Sequence, residues 1–196
     1  MSQFKVLTKD NARPESAALL NEVEKKYGFI PNLMGVLAES PVALKAYLEL
    51  SNLIGQSSFS PEEQQAILLA VSLENNCDYC VAAHSMVAAK MAGMPIGRLD
   101  SLRKEVALDD TRLDTLVDFT RHIVRLRGFI GEAAVEKFLA AGFTKQQLLE
   151  ILVCVAMKTL SNYTNHIAET PVDQPFSEFK WSRDPAIPRP IGHRLG

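Results

Sequence analysis

Cysteine is scarce in this chain, which has three among its 196 residues. So small and odd a number argues against a framework of structural disulfides and for a reducing compartment, so we expect the cytoplasm. The opening residues, Met1 to Lys5, lack a basic region followed by an apolar stretch, and we therefore expect no secretory signal. No apolar run is long enough to cross a bilayer, so we expect no membrane partner.

An excess of charge of one sign is also missing. The formal net charge is −2 and no basic block occurs, so nucleic acid is not an expected partner. The chain has no glycine-rich phosphate loop after a strand and no Gly-x-Ser-x-Gly, the motifs of nucleotide binding and serine hydrolysis. We expect no cofactor.

Strand-like alternation of apolar and polar residues is absent, and helical spacing takes its place, so the sequence predicts an all-α fold. Local start and stop signals predict helices over 14–27, 33–38 and 41–55, and further helices starting after Ser60, near Cys77, at Ile96, after Asp110 or Thr111, at Glu132 and after Thr144. We expect one domain over 1–196, with an N-terminal helical segment over about 1–55 and an extended, proline-rich tail over about 171–196.

Two stretches of the chain resemble each other. The first contains Phe59–Gln65, an apolar helix, an asparagine pair and His84. The second contains Phe143–Gln147, an apolar helix, Asn162 and His166. This echo suggests a duplicated helical hairpin in which only the first copy kept the thiols.

Two of the cysteines form a short motif with a histidine. Cys77 and Cys80 lie three residues apart and His84 follows Cys80 by four, so a helix would place all three on one face. A cap at Asn76 would put both thiols in the first turn, where unpaired N–H groups favour a thiolate. His84 can accept the proton, and a sulfenic acid on one thiol can condense with the other. The motif therefore predicts thiol redox chemistry.

Zinc binding and a purely structural role are the alternatives to redox chemistry for these residues. Cys77, Cys80 and His84 could supply three zinc ligands, but adjacent placement on one helix makes a tetrahedral shell awkward and no second Cys-x-x-Cys follows. We therefore predict no metal site. A buried structural thiol is the expected role of Cys154, which lies in an apolar stretch. A buried structural role also remains open for Cys77 and Cys80, but it is less favoured there because polar residues surround the two thiols.

A resemblance to a known family rests on two segments. Residues 77–84, Cys-Asp-Tyr-Cys-Val-Ala-Ala-His, follow an apolar helix and Asn-Asn, and resemble the signature of alkylhydroperoxidase AhpD-like proteins in the carboxymuconolactone decarboxylase superfamily. Residues 159–168 and the tail with Trp181 resemble its uncharacterised peroxidase-related branch. The resemblance implies an all-helical AhpD-like bundle, assembly into trimers or hexamers, and thiol-dependent reduction of organic hydroperoxides. It also implies that Cys77 and Cys80 are the redox pair and that His84 belongs to a proton relay.

One position departs from the family pattern. The family places a relay glutamate twelve residues before the first cysteine, where this chain has Gln65. Glu74, three residues before Cys77, is the candidate replacement, and a solvated surface carboxylate is the other role open to it. Glu62 and Glu63 are more distant candidates.

Four aromatic or imidazole side chains carry weaker expectations. Tyr79 either lines the pocket or is a half-buried packing residue. We expect His166 to be a hydrogen-bonded structural histidine, with a place in the pocket or at an oligomer contact as alternatives. His122 and His193 belong to no cluster and are expected at the surface.

The motif is compatible with three functions. The first is a hydroperoxide reductase in which Cys80 attacks, Cys77 resolves and another dithiol, protein or small molecule, regenerates the pair; the opposite assignment of the thiols stays open because Cys77 is nearer the helix start. The second is a redox sensor or disulfide-exchange protein, which Gln65 at the relay position favours slightly. The third, lactone decarboxylation, ranks below both because it does not depend on a Cys-x-x-Cys pair.

Overall fold

A computed structural model describes residues 3–183, and within that range it contains nine α-helices, one 3-10 helix and no strand. The all-α prediction is confirmed. The helices are α1 Pro14–Tyr27, α2 Asn32–Leu37, α3 Pro41–Gly55, α4 Pro61–Glu74, α5 Asp78–Lys90, α6 Ile96–Arg103, α7 Thr111–Leu126, α8 Glu132–Ala140 and α9 Lys145–Ala168, followed by the 3-10 helix Gln174–Phe179.

Helix boundaries follow the local signals closely. Helix α1 has the predicted bounds, and Gly28 ends it with a φ of 79°, a left-handed conformation that costs glycine little. The capping box of Ser60 and Glu63 forms as predicted at the start of α4. The largest differences are at the ends of α5, which stops at Lys90 rather than near Gly93, and of α9, which continues past His166.

Helix α4 lies at the centre of the molecule. Every residue from Ala66 to Glu74 is buried, and the helix packs against α5, α7 and α9. Because neighbours cover it on nearly all sides, a continuous apolar surface is stable here where a solvent-facing helix would need a polar stripe. The prediction of a helix buried on most sides is confirmed.

The chain breaks sharply between α4 and α5. Asn76 adopts a φ of 53°, the left-handed conformation that asparagine tolerates, and the N–H of Cys77 then donates to Ser72 O at 2.9 Å. The break was predicted, but the cap lies one residue later than expected. An N-cap residue has an extended backbone, which the left-handed Asn76 does not have. Cys77, the next residue, is extended and is the N-cap of α5.

The expected second hairpin does not form. Helix α9 runs without a break over 24 residues, so the echo of α4 and α5 is limited to the start of the helix, where Thr144 and Gln147 form another capping box. Asn162 stays inside the helix because its side chain is engaged elsewhere: its Oδ1 accepts a hydrogen bond of 2.9 Å from Nδ2 of Asn75. The two asparagine positions of the echo thus contact each other across the fold.

The C-terminal tail was predicted to be extended from about residue 171, and this is wrong for part of it. Gln174–Phe179 forms a 3-10 helix that packs against α5. Pro175 is compatible with this helix because proline suits a first helical turn. The rest of the predicted tail, residues 184–196 with His193, lies outside the described residues.

None of the described helices is by itself both long and apolar enough to cross a bilayer. Helices α8 and α9 meet the criteria of length and composition only as a pair bent by 112°.

Candidate active site

The two thiols of the motif lie together in the interior. Cys77 and Cys80 are both reduced and almost fully buried, one as the N-cap residue of α5 and the other in its first turn. Nδ2 of Asn165 lies 3.2 Å from Sγ of Cys80 and 3.7 Å from Sγ of Cys77. One amide therefore reaches both sulfurs, as expected if they share a helix face.

Helix α9 supplies a row of buried polar side chains facing the thiols. Lys158, Ser161, Asn162 and Asn165 are all buried, and Oγ of Ser161 lies 3.9 Å from Sγ of Cys80. Their spacing of three, four and seven residues places them on one face of the helix. This row was not predicted from the sequence. Its signal was present, since polar residues at helical spacing interrupt an otherwise apolar helix.

Lys158 is the most unusual member of the row. Its side chain is fully buried, and among residues 3–183 the thiol of Cys80 is the one group within hydrogen-bonding reach of its Nζ. A buried ammonium that no carboxylate pairs with is costly, and such groups are rare in protein interiors. Its positive charge acts on both thiols and on His84, and in each case it favours the less protonated form.

The two thiols differ in acidity because they share a hydrogen bond. The hydrogen bond from Cys80, aided by the charge of Lys158, lowers the pKa of Cys77 to about 6 despite the opposing effect of burial. Burial, together with the same hydrogen bond, raises the pKa of Cys80 well above its ordinary value. The lowered pKa of Cys77 and the raised pKa of Cys80 together favour a single thiolate in the pair.

His84 lies one turn after Cys80 and is half-buried. Burial, reinforced by the charge of Lys158, holds its pKa well below the usual range, so the ring is neutral at pH 7. Its Nδ1 lies 3.0 Å from Oε1 of Gln65, the residue at the family's relay position. With Oε1 as the acceptor, Nδ1 carries the hydrogen and Nε2 is left as a proton acceptor. Gln65 thus orients the histidine although it cannot itself exchange a proton.

Glu74 has neither of the surroundings considered for it. Its side chain is 1% exposed, so the expectation of a solvated surface carboxylate is wrong. Both oxygens accept hydrogen bonds from Arg125 of α7, at 2.7 and 2.9 Å, and Nε of Arg121 lies 3.8 Å away. Glu74 is not among the residues lining the cavity that contains Cys80 and His84. The structure therefore places this carboxylate in an ion pair between α4 and α7.

The two distant carboxylate candidates also have other partners. Glu62 pairs with Arg98, at 2.6 Å, and Glu63 combines its capping role with an ion pair to Arg112. Within residues 3–183, no group of three or more histidine, cysteine or acidic side chains is positioned to hold a metal ion.

Tyr79 lines the cavity and is also buried, so both of its expected roles apply in part. Its hydroxyl accepts a hydrogen bond from the N–H of Leu33 and donates one of 2.5 Å to Oδ2 of Asp173. Burial, together with Asp173, raises its pKa, so it remains protonated at neutral pH. The hydroxyl joins α2 and the tail to the thiol helix.

The remaining predicted residues lie away from the thiols. His166 is exposed and stacks 6.4 Å from Tyr163, and within residues 3–183 it lacks the hydrogen bond that was expected of it. Cys154 is fully buried, and burial raises its pKa to about 12, so it is the inert structural thiol that was predicted.

A cavity of about 390 Å³ opens from the thiols, within the usual range for small-molecule sites. Cys80, His84 and Lys158 line it, whereas Cys77 does not. Most of the wall is apolar and rich in methionine and aromatic side chains. These are Met34, Met86, Met91 and Met157, with Tyr27, Phe29, Tyr47, Tyr79 and Phe176. The cavity could hold a small apolar molecule against the sulfur of Cys80.

Comparison with known proteins places this arrangement in a family context. Residues 41–110 match the carboxymuconolactone decarboxylase family. The matched segment contains α3 to α6 and therefore both thiols and His84. No curated protein sequence matches the chain significantly.

Solved structures resemble the chain over most of its length. An uncharacterized peroxidase-related protein with an alkylhydroperoxidase AhpD core, from Ralstonia eutropha JMP134, has a TM-score of 0.80 at 23% identity, covering 89% of this chain and 94% of its own. A peroxidase-related protein from Silicibacter sp. TM1040 has a TM-score of 0.75 at 24% identity, covering 91% and 97%. A variant of the debrominase Bmp8 in complex with 2,3,4-tribromopyrrole has a TM-score of 0.73 at 15% identity, covering 91% and 97%. These likenesses establish an AhpD-like fold.

We predict that Glu74→Gln destabilises the protein and spares thiol chemistry. The change removes one partner of a buried pair, and because Arg125 is 45% exposed the expected loss of unfolding free energy is about 1–3 kcal/mol. Urea unfolding measures it, with Glu24→Gln as a control in the exposed pair with Lys9, expected to lose less than about 1 kcal/mol. A Glu74→Gln protein that kept its stability but reacted slowly with peroxide would identify Glu74 as the relay acid.

We also predict that a thiolate forms with a midpoint at about pH 6. Because the pKa of Cys77 is lowered, the thiolate is present above this pH and is lost below it. Ultraviolet thiolate absorbance across a pH titration measures the midpoint, and Lys158→Met should raise it because the favourable charge is gone. Lys26→Met, at an exposed position on the cavity wall, is the control and should leave it unchanged. An ordinary midpoint of about 8.5 in the wild type would contradict the lowered pKa.

Proposed function

We propose that this chain, whose residues 41–110 match the carboxymuconolactone decarboxylase family and whose fold is AhpD-like, reduces organic hydroperoxides with Cys77 and Cys80 as a dithiol–disulfide pair. The observation that carries the proposal is that two thiols, both reached by Nδ2 of Asn165, lie together beside a cavity that Cys80 lines. An acidic thiol partner and a substrate-sized space are what a thiol peroxidase requires.

The geometry favours Cys80 as the attacking thiol. Cys80 lines the cavity and Cys77 does not, so a hydroperoxide meets the sulfur of Cys80 first. Its high pKa does not prevent attack, because its proton can pass along the existing hydrogen bond to the thiolate of Cys77. We therefore propose that Cys80 attacks the peroxide. Cys77 first accepts the proton of Cys80 as the base and then forms the disulfide as the resolving thiol.

The proposed reaction has two steps. The thiolate of Cys80 attacks the terminal peroxide oxygen, an S–O bond forms, the O–O bond breaks, and the alkoxide leaves and takes a proton from solvent. The sulfur of Cys77 then attacks the sulfenic acid, an S–S bond forms, and hydroxide leaves as water with the proton that Cys77 received. In sum, a hydroperoxide and the dithiol give an alcohol, water and the disulfide.

Two further side chains support this reaction. Nε2 of His84 can accept the hydrogen bond of the hydroperoxide O–H group and so hold the terminal oxygen near Cys80. The ammonium of Lys158 can stabilise the negative charge that develops on the leaving oxygen in a site with little water. Gln65 keeps His84 in the required orientation, which gives the departure from the family pattern a function.

Regeneration requires an external dithiol, either a protein or a small molecule, because the reaction consumes the pair. The cytoplasm, where thiol reductants are abundant, is the compartment that this cycle requires and the one we propose.

Reductive dehalogenation is a second candidate, favoured by the likeness to a debrominase and by the polarisable methionine and aromatic wall. The same pair could take a halogen from an aromatic ring, leaving an aromatic C–H bond, a disulfide and a hydrogen halide. A redox sensor needs the same disulfide but little turnover. Lactone decarboxylation ranks below these because it leaves the thiol pair without a role.

Cysteine variants test the proposed function. With cumene hydroperoxide and dithiothreitol, Cys80→Ser is expected to lower the turnover rate by about 100-fold or more, since it removes the nucleophile. Cys77→Ser also leaves Cys80 without its base and its resolving thiol, and should slow turnover similarly. Cys154→Ser, the matched control, should keep the wild-type rate.

The outcomes separate the candidates. A full rate in the Cys77→Ser/Cys80→Ser double variant would refute a thiol peroxidase, and a full rate in Cys80→Ser alone would reverse the assignment of the two thiols. Ready disulfide formation with slow turnover would favour the sensor. Thiol-dependent bromide release from a brominated pyrrole, without peroxide turnover, would favour the dehalogenase.

Self-assembly is a separate proposal, and the outer face of α9 supports it. Leu149, Leu152, Tyr163 and Ile167 form an exposed stripe, from 42% to 68% exposed, at helical spacing. Exposed apolar surface of this kind marks interaction sites, and we propose a trimer or hexamer of this chain.

We predict that Leu152→Glu dissociates this assembly, because it places a charge within the apolar stripe. Light scattering measures the molar mass, with Val42→Glu as a control at an exposed apolar position on α3. A wild-type protein that remains monomeric at high micromolar concentration would refute the proposal.

A further inference from the structure

The charge of the cavity is one-sided. Among residues 3–183, the charged side chains that line it are those of Lys26 and Lys158, and no acidic side chain lines it. Lys26 is exposed, whereas Lys158 is fully buried, and within residues 3–183 its Nζ has the thiol of Cys80 within reach but no carboxylate. A buried cation that borders a cavity and has no fixed counter-ion is suited to receive an anion from outside.

In the reduced protein the thiol pair supplies part of the missing charge. The pKa of Cys77 is lowered to about 6, and the charge of Lys158 contributes to this lowering, so the thiolate form of the pair interacts favourably with the lysine. A disulfide carries no charge. Oxidation of the pair therefore removes the negative group that partly balances Lys158, although the lysine stays where it is.

We propose that the cavity is a redox-gated site for a small organic anion, an apolar monocarboxylate, whose carboxylate pairs with Lys158 when Cys77 and Cys80 are joined as a disulfide. The gate rests on the proposed dithiol–disulfide cycle, in which a hydroperoxide is the oxidant. The anion site itself rests on the position of Lys158 alone.

The chemistry of the wall specifies the rest of the ligand. Met34, Met86 and Phe176 are among the side chains that give the wall its apolar character, and methionine adapts readily to ligands of different shape. The volume of about 390 Å³ accommodates an aliphatic or aromatic body of moderate size. A carboxylate with no apolar body would leave that wall uncovered and gain little affinity.

Thermodynamic linkage makes the effect work in both directions, so oxidation favours anion binding and anion binding favours oxidation. If the anion binds the disulfide form more tightly than the dithiol form, it must stabilise the disulfide by the same factor. Bound carboxylate would therefore shift the dithiol–disulfide equilibrium towards the disulfide.

Isothermal titration calorimetry with octanoate tests the site, and 1-octanol, which has the same chain without the charge, is the control ligand. The full-length protein is oxidised with one equivalent of tert-butyl hydroperoxide, and loss of two thiols is checked by titration. The reduced sample is prepared with dithiothreitol and then desalted. We expect the oxidised protein to bind octanoate at least about tenfold more tightly than 1-octanol, and at least about tenfold more tightly than the reduced protein does.

Two variants locate the charge. Lys158→Met, of similar shape, should abolish the preference for octanoate over 1-octanol, whereas Lys26→Met should keep it. The Cys77→Ser/Cys80→Ser variant lacks a thiolate without being oxidised, so it should bind octanoate as the disulfide form does.

The outcomes are distinct from those of the peroxidase tests. Equal affinity for octanoate and 1-octanol in the wild type, or a preference that survives in Lys158→Met, would overturn the anion site whatever the peroxidase rate. Equal octanoate affinity in the oxidised and reduced wild type would overturn the gate. A protein that loses no thiols on oxidation would overturn the gate together with the proposed function. The wild-type comparisons need no variant, so they decide the matter even if Lys158→Met does not fold.

Discussion

The buried ammonium of Lys158 is the constraint on which the chemistry of this molecule depends. No carboxylate among the described residues pairs with it, so its charge acts on the ionisable groups near it. The hydrogen bond from Cys80 is the larger cause of the acidity of Cys77, and burial is the larger cause of the neutral state of His84, but the charge of Lys158 adds to both. A single side chain on α9 thus tunes groups that belong to α5.

The packing of α4 makes that arrangement rigid. A helix buried on most sides cannot shift without moving α5, α7 and α9, and its last residue, Glu74, is tied to Arg125 of α7. The left-handed Asn76 then turns the chain at a defined point, which sets where Cys77 and Cys80 meet the polar row of α9. The thiols are therefore positioned by the core and by one backbone turn, with little freedom left to the site itself.

The features that could be predicted from the sequence are those that contacts between neighbouring residues determine, such as helix boundaries. Gly28 ends a helix and Ser60 begins one through contacts with residues a few positions away, and these boundaries were predicted correctly. The partner of Glu74 could not be found in the same way, because Arg125 is 51 residues distant and only packing of α4 on α7 brings them together. The contribution of Lys158 was missed because a lone lysine in a helix normally indicates a solvent-facing position, and burial reverses that meaning.

The tail has a consequence of a different kind. Phe176 of the 3-10 helix forms part of the cavity wall, while the side chains assigned to the reaction, Cys80, His84 and Lys158, belong to α5 and α9. Tyr79 joins the two parts by its hydrogen bond to Asp173. Part of the selectivity is thus encoded in the tail, apart from the reactive groups. Mutation of the tail can change the shape of the ligand cavity while the sulfur chemistry is preserved. Related proteins can therefore differ in the ligands that they bind and still share one reaction mechanism.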